Sequence, residues 1–193
     1  MRYDLFISGF GGQGALLAGT VLSYAAIVEG KNVSYLPSYG PEKRGGAAMC
    51  TVVITDGDVG SPVIGKPSAA IFLNQISLDK YGSKIKPGGI CIINSSLVDS
   101  TAFNRPDVET ILVPMNDIAM QLGDPRIANM VALGAYASKS GAIEITSFEA
   151  ALKEALPERN HKFIPANILA IEAGFKLGRG SSSLAAPEVI AQN

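Results

Sequence analysis

Four glycines lie within six residues near the start of the chain, Gly9, Gly11, Gly12 and Gly14, with Gln13 among them, in the stretch Phe6 to Gly19. An apolar run from Tyr3 to Ser8 leads in, and a helical pattern to about Val28 leads out. Gly9-x-Gly11-x-x-Gly14 has the spacing of a nucleotide fingerprint. Glycines permit a tight turn and let backbone approach an anion, and the helix that follows opens with free N–H groups. A second candidate runs from Pro37 to Gly46, where Ser38 and Tyr39 precede Arg44, Gly45 and Gly46. Two prolines stiffen this loop, and a guanidinium beside glycines offers forked donors to a carboxylate or phosphate. Each motif has a plainer alternative. The glycine turn could serve only to pack helix on strand, and the charges of the loop could pair with solvent or a neighbouring chain.

Acid–base machinery is thin. A dinucleotide site wants a carboxylate at the end of the second strand, and Asn32 to Leu36 leads instead into Pro37-Ser38-Tyr39-Gly40. That argues against NAD. His161, the only histidine, is expected in a surface loop beside Arg159 and Lys162. Ser95 and Ser96 have no neighbouring histidine to activate them. Asp56-Gly57-Asp58 reads as a turn rather than a metal site. Cys50 and Cys91 sit alone in apolar runs and read as buried thiols. With no C-x-x-C motif, a metal or iron–sulfur cluster held by this chain alone is not expected.

The elements that must position these residues alternate. Strands are expected over 3–8, 32–36, 48–55, 69–73, 90–93 and 111–114. Helices are expected to about Val28 and over 77–85, with Asn116-Asp117 capping one to Leu122. A buried helix follows over 126–138, then one capped by Thr146 or Ser147, then a last from 162 to 177. Residues 97 to 110 read as a surface excursion. The link from Pro37 to Ala47 is too short for a parallel crossover, so the third strand should run antiparallel or turn onto the sheet edge. The fold class implied is a three-layer α/β sandwich with a mostly parallel, Rossmann-like sheet. Ligands of such sheets sit outside the carboxyl ends of the strands, here Ser8-Gly9, Ser38-Tyr39, Asn74-Gln75 and Asn94-Ser95. Residues 1–178 read as one domain and 179–193 as a flexible tail.

The 193 residues carry a net charge of −1 without charge blocks, which argues against a nucleic-acid groove. Charged residues are only 17%, low enough to suggest apolar surface covered by partner chains. No run is long enough to cross a bilayer, and the immediate start of a strand leaves no room for a signal peptide, so a cytoplasmic protein is expected.

Several motifs occur in a fixed order: Gly-Phe-Gly-Gly-Gln-Gly at 9–14, Pro-Ser-Tyr-Gly-Pro-Glu at 37–42, Arg44-Gly45-Gly46 with Cys50, and Gly60-Ser61-Pro62. Asn74-Gln75 with Ser77-Leu78-Asp79-Lys80, Lys86-Pro87-Gly88-Gly89, Asn94-Ser95-Ser96 and Ala-Asn-Met-Val-Ala-Leu-Gly at 128–134 follow. From about Arg2 to Gly178 the chain resembles the gamma subunit of 2-oxoacid:ferredoxin (or flavodoxin) oxidoreductases. The resemblance implies a multisubunit enzyme, inert as a lone chain, that oxidatively decarboxylates a 2-oxoacid and transfers the acyl group to coenzyme A. It implies alpha, beta and delta-type partner subunits carrying thiamine diphosphate, magnesium and iron–sulfur clusters, with ferredoxin or flavodoxin as electron acceptor. A homodimer is one expected state of the isolated chain. By analogy, the Gly9 to Gly14 loop and the loop around Arg44 are the candidate contacts with coenzyme A. The motif before Arg44 looks more like the 2-oxoglutarate branch than the pyruvate branch, with a branched-chain 2-oxoacid as a further alternative. A stand-alone Rossmann-type nucleotide-binding protein and a purely structural subunit are the competing functions.

Overall fold

The computed structural model of the chain describes residues 1–39 and 46–180. Arg44 and Gly45 lie outside the described residues, as do 181–193 of the tail expected over 179–193, whose first residue, Arg179, is instead the last of a helix. Six strands form one sheet: β1 (Arg2–Phe10), β2 (Asn32–Tyr39), β3 (Ala47–Thr55), β4 (Ala69–Phe72), β5 (Ile90–Asn94) and β6 (Glu109–Val113). Their order across the sheet is β2-β3-β1-β4-β5-β6. Pairs β1/β4, β4/β5 and β5/β6 are parallel, whereas β3 runs antiparallel to both β1 and β2. The short link before β3 accounts for its direction. β3 lies inside the sheet, between β2 and β1, so β2, not β3, is the edge strand.

Strand alternation divides the core. Leu5, Ile7, Cys50, Val52, Ile71 and Ile92 face a large helical layer. Phe6, Ala70, Phe72, Cys91 and Ile93 face a smaller layer made by α2 (Gln75–Tyr81) and the segment after β5. Residues 97–110 are therefore only partly a surface excursion, because Val98 and Val108 are buried in that second core. The larger layer holds α1 (Ala15–Val28), α3 (Met115–Gln121), α4 (Ala128–Ser140), α5 (Phe148–Ala155) and α6 (Ile164–Arg179).

Helix α4 is buried all round from Asn129 to Ala137, as its apolar and small residues require. Its cover is internal. Where α4 crosses α6, a Cβ on Gly134 would run into the carbonyl of Ile171, and one on Gly174 into that of Val131. The two backbones touch, which only glycine at both crossing positions allows.

Two expected caps take other roles. Helix α3 starts after Pro114 with no side-chain cap, and Asn116 reaches across to Asn94 instead. Ser147 makes no cap bond. Its hydroxyl donates to Glu29 Oε1 at 2.7 Å, because Glu29 at the end of α1 also accepts the Glu144 N–H and the Lys31 ammonium, both at 2.7 Å. That carboxylate ties α1 to the connection between α4 and α5. Helix α2 begins two residues early, at Gln75, because Asn74 Oδ1 accepts the Ser77 N–H at 2.9 Å. His161 is not in a free loop. It lies in a 3₁₀ turn with Nε2 3.0 Å from both the Lys153 and Leu156 carbonyls, which closes the end of α5.

Candidate functional site

Because every strand but β3 points the same way, the ends of β2, β1, β4, β5 and β6 share one edge with the start of β3. The opposite edge is structural. There the buried Asp4 carboxylate accepts the Ser68 N–H and lies 3.3 Å from Lys86, fastening β1 to the entries of β4 and β5.

At the carboxyl edge the glycine loop runs from β1 into α1. Gly9 is buried, and a Cβ there would meet Gln13 Oε1 at 2.8 Å and Leu73 at 3.0 Å. Gly11 is exposed, and its N–H donates to the Gly46 carbonyl at 2.9 Å, so that N–H is spent within the chain. Gly12 has φ of 102°, with nothing among the described residues within 4 Å of a built Cβ. Gly14 caps α1 with φ of 77°, and its carbonyl accepts Asn129 Nδ2 at 3.0 Å. A Cβ at Gly14 would strike that amide at 2.5 Å. The first turn of α1 carries no side-chain cap, which leaves N–H groups and the positive helix end toward this edge.

Gln13 turns inward. Its Oε1 accepts from the Phe10 N–H at 2.8 Å and from Asn74 Nδ2 at 2.9 Å, while Nε2 donates to the Leu73 carbonyl at 3.2 Å. Asn74 is spent in the same way, one atom on Gln13 and the other on the Ser77 N–H. These two amides fix the loop shape, each polar atom of both having a partner within the chain. Asn94 is also buried, and its Nδ2 donates to Leu73 O at 3.3 Å and to Asn116 Oδ1 at 2.8 Å. Its Oδ1 accepts nothing among the described residues. Beside it is a cavity of about 190 Å³, lined by Gly12, Gln13, Asn94, Asn116 and Arg126 among others.

Not all the candidates converge. Ser38 and Tyr39 end β2, separated from the glycine loop by β3, and Ser38 is exposed. Ser95 is exposed and donates its N–H to Val113 O, so it braces β5 on β6. Gly46 contributes its carbonyl. Asn116, Arg126 and Asn129 are residues of this edge that sequence reasoning gave other duties. The signal for Asn129 was an amide inside an otherwise apolar helix, a polar group that needs a partner when buried. Burial pushes both thiols, Cys50 and Cys91, up to about 12, so neither is a nucleophile at neutral pH. Among the described residues, no group of three or more His, Cys, Asp or Glu could hold a metal ion, and no helix is long and apolar enough to cross a membrane.

This geometry gives an α/β domain with a candidate binding edge: hydrogen-bonding amides and a bare helix start, with no paired acid and base among the described residues. Residues 4–177 match the family model described as pyruvate ferredoxin/flavodoxin oxidoreductase. The chain is 35% identical over 181 residues to the 2-oxoglutarate synthase subunit KorC of Methanocaldococcus jannaschii, covering 93% of this chain and 95% of that one. Its fold is similar to the crystal structure of the keto/oxoacid ferredoxin oxidoreductase gamma subunit from Geobacter sulfurreducens, with a TM-score of 0.77, 34% identity, and 91% and 98% of the two chains covered. It is also similar to the 2-oxoglutarate:ferredoxin oxidoreductase of Magnetococcus marinus, solved with 2-oxoglutarate, coenzyme A and succinyl-CoA. The TM-score there is 0.80 at 22% identity, and 98% of this chain covers 33% of that one. The chain belongs to the pyruvate ferredoxin/flavodoxin oxidoreductase family, in its gamma-subunit branch. It is a subunit of a 2-oxoacid:ferredoxin oxidoreductase.

Proposed function

We propose that this subunit serves a 2-oxoglutarate-oxidising complex, and that its carboxyl edge meets coenzyme A while other subunits bring the reactive groups. The observation that carries the reading is the end-to-end likeness to a 2-oxoglutarate synthase subunit. The site is consistent with it. Uncapped N–H groups at the start of α1 suit a phosphate, and the exposed Gly12 lets a ligand approach the backbone closely. Thiamine diphosphate, when bound on a partner subunit, supplies the carbanion chemistry of decarboxylation, and magnesium and iron–sulfur clusters belong there too. The residues of this chain bind and orient.

Exposed apolar side chains at the same edge support burial against partners of alpha, beta and delta type. Ile76 is 59% and Leu97 51% exposed, and the Asp99 N–H on Gln75 Oε1 holds their two segments together. Ferredoxin or flavodoxin is the acceptor proposed for the assembled complex. The direct test is to co-express the chain with its neighbouring subunits and assay 2-oxoglutarate, pyruvate and 3-methyl-2-oxobutanoate. The highest kcat/KM is expected for 2-oxoglutarate. A complex that prefers either of the others contradicts the substrate assignment, and a chain that never co-purifies contradicts the subunit role.

A further inference from the structure

Charge is unevenly spread over this protein, although its net value is only −1. Lys80 lies on α2, Lys84 follows one turn later, and Lys86 comes two residues after that. The Lys86 N–H donates to the Pro67 carbonyl at 2.9 Å, which brings the chain beside Lys66 to the same corner. Arg2 completes the group, sharing the Asp4 carboxylate with Lys86. All five cations are exposed, while Asp4, which answers two of them, is buried. Lys66, Lys80 and Lys84 form no ion pair among the described residues. Asp79, beside Lys80 in sequence, accepts from Gln75 Nε2 at 2.9 Å instead.

Lys80 and Lys84 are the most concentrated part of this corner. Both ammoniums lie 5.2 Å from the centroid of the Tyr81 ring. Like charges one turn apart repel, so the ring gathers two cations that the described residues leave without a carboxylate. One turn before Lys80 on the same stripe of α2 is Ile76, 59% exposed. The outer side of this helix therefore passes from apolar near the carboxyl edge of the sheet to basic at the opposite edge.

We propose that this corner docks an acidic segment of a partner subunit, whose carboxylates pair with Lys80 and Lys84 and extend toward Lys66 and Lys86 while an apolar residue covers Ile76. Charge complementarity and the adjoining apolar residue name the occupant. Ammoniums are point charges that meet carboxylates without a fixed planar geometry. Nucleic acid fits less well, because the Tyr81 ring is engaged by the two ammoniums rather than open to a stacked base, and the chain as a whole is not basic. The assignment rests on the subunit role of the chain. It is independent of the glycine loop, of coenzyme A and of which 2-oxoacid is oxidised.

The test is to co-express the chain with its partner subunits, hold the complex by a tag on a partner, and measure how firmly the chain is retained as salt rises. Lys80→Glu/Lys84→Glu places like charges against the partner, so it should weaken retention about tenfold at low salt. Screening shortens the reach of exposed charges from about 30 Å at about 0.01 M salt to about 3 Å at about 1 M, so variant and wild type should converge at high salt. In the isolated full chain, Lys80→Gln/Lys84→Gln should move Tm by no more than about 2 °C, as exposed substitutions do, which separates docking from folding. Equal retention at low salt, a deficit that persists at high salt, or a much larger loss of Tm would overturn the proposal. So would wild-type binding to duplex DNA or to phosphatidylserine vesicles that the Glu variant loses while its assembly is untouched. A wild-type chain that is never retained refutes the subunit role itself, whereas retention that ignores the substitutions refutes the lysine corner alone.

Discussion

Glycine does opposite work in two regions of this protein. At the crossing of α4 and α6, Gly134 and Gly174 face backbone carbonyls of the other helix, and the space of both missing side chains is filled. At the carboxyl edge, Gly12 faces nothing among the described residues, and the missing side chain leaves an approach to the backbone. One region is dry and closed by packing. The other is held by amides that pin a loop while leaving its outer side open. A glycine therefore marks a site only when the space it vacates is empty, and sequence spacing alone does not tell the two uses apart.

The sharpest way to break the contrast is to add one methyl group in each region. Gly174→Ala drives a Cβ into the Val131 carbonyl, and α6 must move away from α4 along a fully buried seam. A loss of about 3 kcal/mol is expected from chemical denaturation, at the upper end of overpacking penalties. A loss below about 1 kcal/mol would mean that the helices are not in backbone contact.

Gln13→Ala should have the next largest effect. It strands the Phe10 N–H and one Asn74 N–H in a partly buried loop and leaves the Leu73 carbonyl with only its Asn94 bond. Stability should fall by about 2 kcal/mol, within the range for unpaired buried groups, and hydrogen exchange at Phe10 should quicken before exchange in the core of β1. Uniform exchange along β1 would show that Gln13 does not pin the loop.

The smallest effect concerns the Glu29 tie. Burial works against its charge, but hydrogen bonds from Lys31, Ser147 and the Glu144 N–H prevail and hold its carboxyl below the usual 4.5. A carboxylate with a depressed folded-state pKa adds stability that is present above the unfolded value and lost as pH falls through the folded one. Glu29→Gln should therefore cost about 1 kcal/mol at neutral pH, with the gap to wild type closing below about pH 4.5. A gap that widens in acid would reverse the sign and refute the tie.

Most strands and helices were legible because the apolar runs are long and the turn residues strong. The Pro37 to Ala47 link was too short for a crossover, and β3 does run antiparallel. Its place inside the sheet was not legible, since link length fixes direction and not neighbour order. The candidate residues were legible as neighbours at one edge but not by role. Gly9 to Gly14, Asn74 and Asn94 share one edge, yet Gln13 and Asn74 turned out to be spent on each other. Hydrogen-bond partners 61 residues apart leave no trace in local pattern. For the same reason Asn116 and Ser147 looked like helix caps, when their partners lie across the fold in Asn94 and Glu29.

The central claim is that the open side of the glycine loop, at Gly12, is where this subunit meets coenzyme A in the assembled enzyme. The decisive measurement is the KM for coenzyme A of the co-expressed complex carrying Gly12→Asp. Aspartate tolerates positive φ better than most residues, and a Cβ here has room, so the fold should hold. Its charge would oppose an incoming phosphate. The KM for coenzyme A should rise about tenfold, equivalent to about 1.4 kcal/mol, while the KM for the 2-oxoacid stays put. An unchanged KM for coenzyme A in a folded, assembled complex would contradict the account.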